Sequence, residues 1–307
     1  MVKKVIEIKN LSKTYGKLKA VDDISFYVES GEIFGLLGEN GAGKSTTLEM
    51  IEGLRKPTSG DIKILGKDIK HNVNFVKTKI GVQLQSTAYY QFLTLKEIIE
   101  LFCSLYSKCI DPYRLLSLVD LKDKAKSYVG KLSGGQRQRF SIVAALVNDP
   151  EIVFLDEPTT GLDPLARRNL WKIIENIKLK GKTIILTTHY MEEAEILCDR
   201  IGIMDKGKIL ALDETNKLIE MAEYPFKISF VSSKHDGSNI KKLTKYGMVE
   251  NVIGKKNQYI LKIKNKSKLD EAVDFVRSIK PNYYTIGKAT LEDVFIELTG
   301  KTIGDEN

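Results

Sequence analysis

A glycine-rich loop between a strand and a helix is the feature that most restricts the fold of this chain. The run EIFGLLG, residues 32–38, is almost entirely apolar and ends in glycine, which is typical of a buried strand. The run KSTTLEMIEGL starts at Lys44 and spaces its apolar residues as a helix does. The loop between them, GENGAGKST at 38–46, has glycine, four residues and then Gly-Lys-Ser. A strand, this loop and a helix in that order predict an α/β fold with a parallel core sheet.

The same loop predicts a binding site for nucleotide phosphates. Its glycines would let backbone N–H groups wrap the α- and β-phosphates at the positive end of the following helix. Lys44 would reach the β- and γ-phosphate oxygens, and Ser45 would offer its hydroxyl to Mg²⁺. A chance glycine-rich turn is the alternative, which the Lys-Ser pair disfavours. The residues expected at this site are Gly38, Asn40, Gly41, Ala42, Gly43, Lys44, Ser45 and Thr46.

A second buried strand is predicted to deliver two carboxylates to the same site. The run IVFLDEP begins at Ile152 and has four apolar residues before Asp156 and Glu157. Asp156 would hold the Mg²⁺ shell at the carboxyl end of its strand, and Glu157 would orient or deprotonate an attacking water. Asp-Glu-Pro is also a common exit from a strand into a turn. After a phosphate-binding loop, the catalytic interpretation is the stronger one.

Three further residues are candidates at this site, each with a plainer alternative. His189 ends the run TIILTTH and could hydrogen-bond the γ-phosphate, although a histidine at a strand end is often only structural. Gln85, which follows IGVQL, could reach the Mg²⁺ or the attacking water from a mobile loop. Tyr15 could stack on adenine, or it could be an ordinary surface aromatic residue.

A helix that starts on Ser133, Gly134 and Gly135 predicts a second phosphate site. Glycine is a poor helix residue, but bare glycines leave backbone N–H groups and the positive helix end open to an anion. The loop at 38–45 already accounts for the phosphates held by its own chain. The second set of donors therefore fits the γ-phosphate of a nucleotide held by another copy. This predicts a dimer with ATP between its subunits.

These motifs resemble those of the ATP-binding cassette (ABC) ATPases, and the resemblance covers residues 2–212. In chain order they are the aromatic residue Tyr15, the Walker A loop at 38–45, the Q-loop residue Gln85, the signature LSGGQ from Leu132 to Gln136, the Walker B strand ending at Asp156, the catalytic residue Glu157, the D-loop GLD ending at Asp163, and the switch residue His189. The resemblance implies that two cassettes pair head to tail, with each ATP between the Walker A loop of one and the signature of the other.

The resemblance also implies the cofactors and the roles of the site residues. ATP and Mg²⁺ are the implied cofactors, and ATP hydrolysis is the implied reaction. The implied catalytic residues are Glu157, His189 and Gln85. The implied metal-site residues are Ser45, Gln85 and Asp156. The signature and the D-loop add five residues to the nucleotide site: Ser133, Gly134, Gly135, Gln136 and Asp163. No motif is degenerate, which implies a homodimer with two competent sites, and a heterodimer with another cassette is the alternative.

The pattern of the chain changes after Asp213, which predicts two domains. Residues 1–213 would form the cassette, with a parallel core sheet, an antiparallel β-subdomain and a helical subdomain at about 87–150. Residues 214–307 would form a small α+β accessory domain, because strand and helix patterns follow one another there as in a split βαββαβ, ferredoxin-like unit. A last helix is predicted at 291–299, capped by Thr290 with Asp293 three residues on.

The tail KATLEDVFIELTGK, residues 288–301, resembles the C-terminal extension of single-cassette bacterial exporters of the drug, bacteriocin or sodium type. The resemblance implies a subunit that energises an exporter together with a separate polytopic membrane permease. A generic helix whose apolar face packs on the extension is the alternative for the tail. A soluble, non-transport ABC ATPase and an importer cassette are the alternative functions.

The stretch STAYYQFL, residues 86–93, is expected to form the groove in which a membrane partner docks. The aromatic residues Tyr89, Tyr90 and Phe92 motivate this hypothesis. Packing of these side chains in the protein core is the alternative.

Composition narrows the remaining possibilities. The 48 basic and 40 acidic residues are interspersed, so the net charge of +8 indicates a mixed solvated surface, and no nucleic-acid partner is expected. The apolar run IVAALV is far shorter than the roughly 20 residues of a membrane span, and the first ten residues lack a signal-sequence pattern. We therefore expect a cytoplasmic protein, peripheral on the inner face of the cell membrane. Its three cysteines are expected to be reduced and to form no metal site.

Overall fold

The chain divides into two compact units, residues 1–213 and residues 214–307. The computed structural model describes residues 3–84, 89–232, 237–252 and 257–300. Each unit contains a cluster of buried, mostly apolar side chains. Each therefore folds around a core of its own.

Strands and helices alternate along most of the first unit, as in other α/β folds. Its strands are β1 (Lys4–Tyr15), β2 (Leu18–Glu29), β3 (Ile33–Leu37), β4 (Ser59–Ile64), β5 (Lys67–Asp68), β6 (Ile80–Gln83), β7 (Ile152–Asp156), β8 (Thr183–Thr188), β9 (Arg200–Asp205) and β10 (Lys208–Glu214). Its α-helices are α1 (Lys44–Ile51), α2 (Ile69–Lys79), α3 (Leu95–Cys103), α4 (Pro112–Ser117), α5 (Gly134–Ala144), α6 (Pro164–Leu179) and α7 (Met191–Leu197).

A six-stranded sheet, in the order β10-β9-β3-β8-β7-β6, forms the centre of the first unit. Its strands β9, β3, β8, β7 and β6 pair in parallel. Every residue of β3, β7 and β8 is buried, as expected for strands that are covered on both faces. The carboxyl ends of these strands meet at one edge, where Asp156 of β7 stands opposite Thr187 of β8. The prediction of an α/β fold with a parallel core is confirmed.

A second, antiparallel sheet has the order β2-β1-β4-β5 and shares one core with the central sheet. Within that core the rings of Phe26 and Phe34 stack with their centres 5.1 Å apart. The sequence pattern predicts only the alternating parts of the first two strands, at 5–10 and 24–30. It predicts no helix or strand for 59–79, because the elements there are short and their apolar residues are interrupted by lysines.

The sequence pattern predicts helix over 95–121 with a break at Asp111-Pro112, and the structure has two short helices there, α3 and α4. The first begins at a capping box, in which the side chains of Thr94 and Glu97 bond to each other's backbone N–H groups. The second begins at Pro112, and Asp111 caps it by accepting the N–H of Arg114 at 2.9 Å. The Asp-Pro pair therefore marks a new helix start.

A disulfide joins Cys103, at the end of α3, to Cys109, and Cys198 is a buried free thiol. The expectation of three reduced cysteines is therefore wrong for the first two. Their Cα atoms lie 5.4 Å apart, within the distance that a disulfide can span. The turn after α3 brings them together, which the sequence spacing did not indicate.

The second unit is built on a four-stranded antiparallel sheet in the order β12-β13-β11-β14. Its elements are α8 (Thr215–Glu220), β11 (Phe226–Val231), α9 (Gly237–Leu243), β12 (Met248–Asn251), β13 (Gln258–Ile263), α10 (Lys266–Ser278), β14 (Tyr283–Lys288) and α11 (Leu291–Thr299). From β11 to β14 the element sequence is that of a split βαββαβ unit. The short helix α8 was not predicted. In neither unit does any described helix have the length and apolarity needed to cross a membrane.

Glu52, directly after α1, is a buried carboxyl group without a hydrogen bond. It is 2% exposed, and neither of its carboxylate oxygens has a partner among the described residues. Burial, together with the charges of Asp156 and Glu49, raises the pKa of Glu52 to about 8. The side chain is therefore largely protonated at neutral pH in the folded protein, whereas in the unfolded chain it is ionised.

We expect Glu52→Gln to remove a pH dependence of stability. The folded state binds more protons than the unfolded state between pH values near 4.5 and 8. Wild-type stability should therefore fall as the pH rises through this window, by at most about 1.4 kcal/mol per pH unit. Glutamine imitates the protonated carboxyl group, so the variant should gain stability over the wild type toward the upper end of the window.

Thermal melts of both proteins near the two ends of this window would measure the gain. Glu175→Gln, at an exposed position of α6, is the matched control and should show no such trend. A difference between Glu52→Gln and the wild type that is equal at both pH values would contradict the buried, protonated state of Glu52.

Candidate functional site

The loop between β3 and α1 requires glycine at three positions. Gly41 and Gly43 have φ angles of 82° and 100°, which residues with a Cβ rarely adopt. A Cβ on Gly43 would lie 2.4 Å from the carbonyl oxygen of Ala20, and a Cβ on Gly38 would lie 2.4 Å from that of Met204. The bare backbone therefore curves closely enough to point consecutive N–H groups at an anion near the start of α1.

Lys44, the first residue of α1, is buried at the centre of this loop. Its ammonium group donates to the carbonyl oxygens of Gly38 at 2.7 Å and Glu39 at 3.0 Å, and it lies 3.5 Å from Oε1 of Glu157. Burial lowers the pKa of Lys44, and the carboxylate of Glu157 opposes this change. The loop thus holds one positively charged group where phosphate oxygens would bind.

Ser45 and Asp156 place two oxygen atoms that could bind a metal ion side by side at the edge of the central sheet. Oδ1 of Asp156 accepts hydrogen bonds from the Ser45 hydroxyl at 3.1 Å and from the Thr187 hydroxyl at 2.5 Å. Burial raises the pKa of Asp156, while these two hydrogen bonds act to lower it. A hydroxyl beside a carboxylate is a donor set that suits Mg²⁺, so these residues fit the ion that the resemblance implies.

Glu157 has an unusual backbone conformation directly after β7. Its φ is 46°, in the left-handed region that residues other than glycine, asparagine and aspartate seldom adopt. Its N–H donates to the hydroxyl of Thr187 at 3.0 Å, and its Oε2 accepts from the hydroxyl of Thr160 at 3.0 Å. Such a conformation costs on the order of 1–3 kcal/mol and is most often found at functional sites.

The charges around Glu157 keep its side chain ionised. Burial alone would raise its pKa, but the charge of Lys44, the neighbouring His189 and two hydrogen bonds outweigh burial, so the pKa lies below its usual value. Nδ1 of His189 lies 3.3 Å from Oε2 of Glu157. The site therefore contains a fixed carboxylate beside an imidazole, an arrangement that can orient a water molecule and accept its proton.

Several of the residues described above line one cavity of about 690 Å³. This volume is within the size range of ligand pockets. Of the predicted site residues, those that line it are Tyr15, Asn40, Gly41, Gly43, Lys44, Ser45, Thr46, Glu157 and His189. Tyr15 is 40% exposed, and the guanidinium group of Arg55 lies 5.4 Å from the centre of its ring. Gln85 lies outside the described residues, so its role stays a prediction.

The predicted second phosphate site is the start of α5. The hydroxyl of Ser133 accepts the N–H of Gln136, and Oε1 of Gln136 accepts the N–H of Ser133 at 3.1 Å, which makes a capping box. Apart from the chain neighbours and the helix itself, no described atom lies within 4 Å of the position that a Cβ on Gly134 would take. The backbone of the helix start is thus open to an approaching group.

A separate cavity of about 380 Å³ contains this helix start and the D-loop. The predicted residues that line it are Ser133, Gly134, Gly135, Gln136 and Asp163. The carboxylate of Asp163 caps α6 by accepting the N–H groups of Leu165 and Ala166. Among the described lining residues, none is shared by the two cavities. One copy of the chain therefore keeps these donors apart from its own phosphate loop.

Thr187 is a site residue that the sequence analysis missed. Its buried hydroxyl contacts both Asp156 and the backbone of Glu157. The signal that could have revealed it is its position two residues before His189, in a strand expected to lie beside β7. Thr160, which donates to Glu157, was missed in the same way, since nothing in the run PTTG distinguishes its hydroxyl from that of Thr159.

Known proteins are similar to this chain in sequence and in fold. A family model described as "ABC transporter" matches residues 21–160. A Nod factor export ATP-binding protein I of Burkholderia lata is 33% identical over 305 residues, which cover 98% of both chains. The protein of the same name from Burkholderia orbicola is 40% identical over 220 residues, 70% of this chain and 72% of the relative. A solved dimeric ATP-binding cassette bound to ADP and Pi matches with a TM-score of 0.62 and 27% identity, over 68% of this chain and 98% of that chain.

We expect Thr187→Val to impair ATP hydrolysis while sparing the fold. Valine keeps the shape of threonine but removes the hydrogen bond to Asp156 and leaves the buried N–H of Glu157 without an acceptor. Loss of hydrogen bonds to such groups should lower kcat at least about tenfold. Steady-state ATPase assays measure the change, and binding of a fluorescent ATP analogue in EDTA should stay within about threefold of the wild type.

Thr187→Ser is the matched control, because serine keeps the hydroxyl. It should retain most of the wild-type turnover. Full turnover by Thr187→Val would show that this hydroxyl does not position the two carboxylates.

Proposed function

The chain belongs to the ATP-binding cassette transporter family, and we propose that it is the ATP-binding and ATP-hydrolysing subunit that energises an ABC exporter. The observation that carries the proposal is the meeting of Lys44, Ser45 and Glu157 in one cavity, with Asp156 hydrogen-bonded to Ser45. The names of the relatives, Nod factor export ATP-binding proteins, support export as the direction of transport.

The glycine loop and Lys44 are the proposed binding groups for the phosphates of ATP, and Ser45 and Asp156 are the proposed holders of Mg²⁺. This assignment is supported by the tight backbone of the glycine loop and by the buried ammonium group of Lys44. The adjacent oxygen atoms of Ser45 and Asp156 support it as well. A Mg²⁺ ion held by these residues would supply positive charge against the negative charge that develops on the phosphate oxygens. Tyr15, at the edge of the same cavity, is proposed to stack on adenine. Gln85 is the proposed additional contact to the metal or the water.

Glu157 is the proposed general base. Its carboxylate is ionised and held by Thr160 and by the backbone contact to Thr187, so it can orient a water and take its proton. His189, 3.3 Å from the carboxylate, is proposed to hydrogen-bond the γ-phosphate. This arrangement would let the site distinguish ATP from ADP.

Two copies are proposed to close head to tail around two ATP molecules. The start of α5 at Ser133–Gly135 lies in a different cavity from the phosphate loop, so a second copy can supply the donors that the first loop lacks. The solved dimeric cassette supports pairing within this family. Only a triphosphate would reach the donors of both copies, so ATP favours the closed dimer and hydrolysis releases it. The intact motifs favour a homodimer over a heterodimer.

A separate polytopic membrane permease is the proposed second partner, with the cassette at the inner face of the cell membrane. Tyr90 and Phe92 support a docking site near 86–93, because they are 68% and 88% exposed. Tyr89 does not belong to it: its ring packs against that of Phe140 with centres 5.2 Å apart, so the core-packing alternative applies to this residue. Residues 86–88 of the proposed groove lie outside the described residues.

We expect Glu157→Gln to slow hydrolysis strongly and to accumulate an ATP-bound dimer. The amide keeps the size of the side chain and leaves the phosphate-binding groups in place, but it cannot take a proton from water. Removal of a general base typically lowers the rate about 10²–10⁴-fold. ATPase assays measure the rate, and size-exclusion chromatography with ATP measures the dimer.

Glu175→Gln, at an exposed position of α6, is the control and should change neither quantity. Turnover of Glu157→Gln at a near-normal rate would remove Glu157 from the proposed role. A slow variant that stays monomeric with ATP would refute the dimer.

The double variant Tyr90→Ala/Phe92→Ala should lose its membrane partner. We expect the tagged wild type, purified from native membranes in mild detergent, to bring a polytopic membrane protein in stoichiometric amount, and the double variant to bring much less. Mass spectrometry measures the recovery. Leu179→Ala, which alters an 81% exposed apolar residue on α6, is the control and should behave as the wild type. Equal recovery by the double variant would contradict the docking site.

A further inference from the structure

Helix α6 links the second cavity to the segment that carries His189. It begins next to Asp163, which caps the helix and lines the second cavity. Two of its residues, Arg167 and Trp171, are one helical turn apart and therefore lie on the same face. Both contact the segment that follows β8, where His189 lines the first cavity.

Two contacts join α6 to that segment. The guanidinium group of Arg167 lies 4.1 Å from the ring centre of Tyr190, within the range of a cation–π interaction. The indole N–H of Trp171 donates to Oε1 of Glu193 at 3.0 Å. The ring of Tyr190 is in turn 4.1 Å from that of His189. The imidazole is therefore packed against a side chain that α6 holds.

Glu193 is an acid whose presence packing alone does not explain. It has no exposed surface, and its Oε2 has no hydrogen bond to any described residue. Burial raises the pKa of Glu193, while the nearby hydroxyls of Thr188 and Thr159 and the indole of Trp171 act to lower it. An apolar side chain would fill this space without the cost of removing a carboxyl group from water. What the carboxyl group adds at this position, and an apolar side chain could not, is the hydrogen bond to Trp171.

The positioning cluster consists of Arg167, Trp171, Tyr190 and Glu193. We propose that this cluster sets the position of His189 relative to Glu157 and so transmits the position of α6 to the catalytic site. None of the four is among the described lining residues of the first cavity, so they act through His189 and not on the nucleotide. The inference rests on the proposed role of His189 in hydrolysis.

A double-mutant cycle between Trp171 and His189 tests the proposal. Trp171→Phe removes the indole N–H and keeps an aromatic side chain. It should lower kcat about tenfold while KM for ATP changes less than about threefold, since the phosphate-binding groups are untouched. In the His189→Ala background the same substitution should cause no further fall, because the group to be positioned is already gone.

Glu193→Gln keeps a carbonyl oxygen that can accept the indole N–H, so this conservative variant should retain most of the wild-type kcat. Glu193→Leu removes the acceptor and should resemble Trp171→Phe. The melting temperatures of all variants establish which of them fold, and the comparison is restricted to those with a cooperative transition.

The ring nitrogens of His189 provide a readout independent of turnover. The chain has three histidines, so their imidazole resonances can be assigned in the full-length protein labelled with ¹⁵N. Trp171→Phe should shift the His189 resonances and leave those of His71, in α2, unchanged.

A fall in kcat of equal size in both backgrounds would overturn the proposal, because Trp171 would then act independently of His189. Unmoved His189 resonances in Trp171→Phe would overturn it as well. Wild-type turnover by His189→Ala would instead refute the proposed role of His189 in hydrolysis, and the resonances would still decide whether the cluster positions the imidazole.

Discussion

The parallel pairing of β7 with β8 is the interaction on which the proposed catalytic site depends. Its register sets Asp156 opposite Thr187, so one buried hydroxyl donates to that carboxylate and accepts the N–H of Glu157. A slip of one residue would turn Thr187 to the other face of the sheet. Asp156 and Glu157 would then lose the contact that fixes them relative to each other, even though the sequence motif would be unchanged.

The charged groups at this edge of the sheet stabilise one another. Lys44, Asp156 and Glu157 are 4%, 8% and 6% exposed, and an isolated charge buried to this extent is strongly unfavourable. Burial lowers the pKa of Lys44 and raises that of Asp156, whereas Glu157, with Lys44 and His189 beside it, has a pKa below its usual value. Removing one of them would leave a neighbour's charge buried without its partner. The left-handed backbone of Glu157 is tolerated for the same reason, because several contacts hold it in place.

The strand, glycine loop and helix around Lys44 could be predicted because their spacing is local. The parallel core could be predicted because continuous apolar strands must be covered on both faces. Features that depend on residues far apart in the chain could not be predicted. Thr187 meets a carboxylate 31 residues away in the chain, and nothing in TTH separates its hydroxyl from that of Thr188. For Tyr89 the sequence leaves a docking groove and core packing as alternatives, and its ring packs on Phe140 of α5. The elements at 59–79 are short and mix lysines with apolar residues. Their apolar residues therefore show neither the two-residue period of a strand nor the 3.6-residue period of a helix.

The proposed phosphate donors lie in two separate cavities, so the proposed reaction requires two copies of the chain to associate. The N–H groups of the phosphate loop line one cavity and those of the α5 start line the other, so a nucleotide can meet both sets only when two copies pair. Helix α6 starts in the second cavity, at Asp163, and contacts the segment that carries His189. In a close-packed interior, the displacement of one side chain moves the side chains packed against it. A partner that presses on the start of α6 would therefore move the imidazole beside Glu157, and hydrolysis would respond to pairing in the same step that completes the phosphate site.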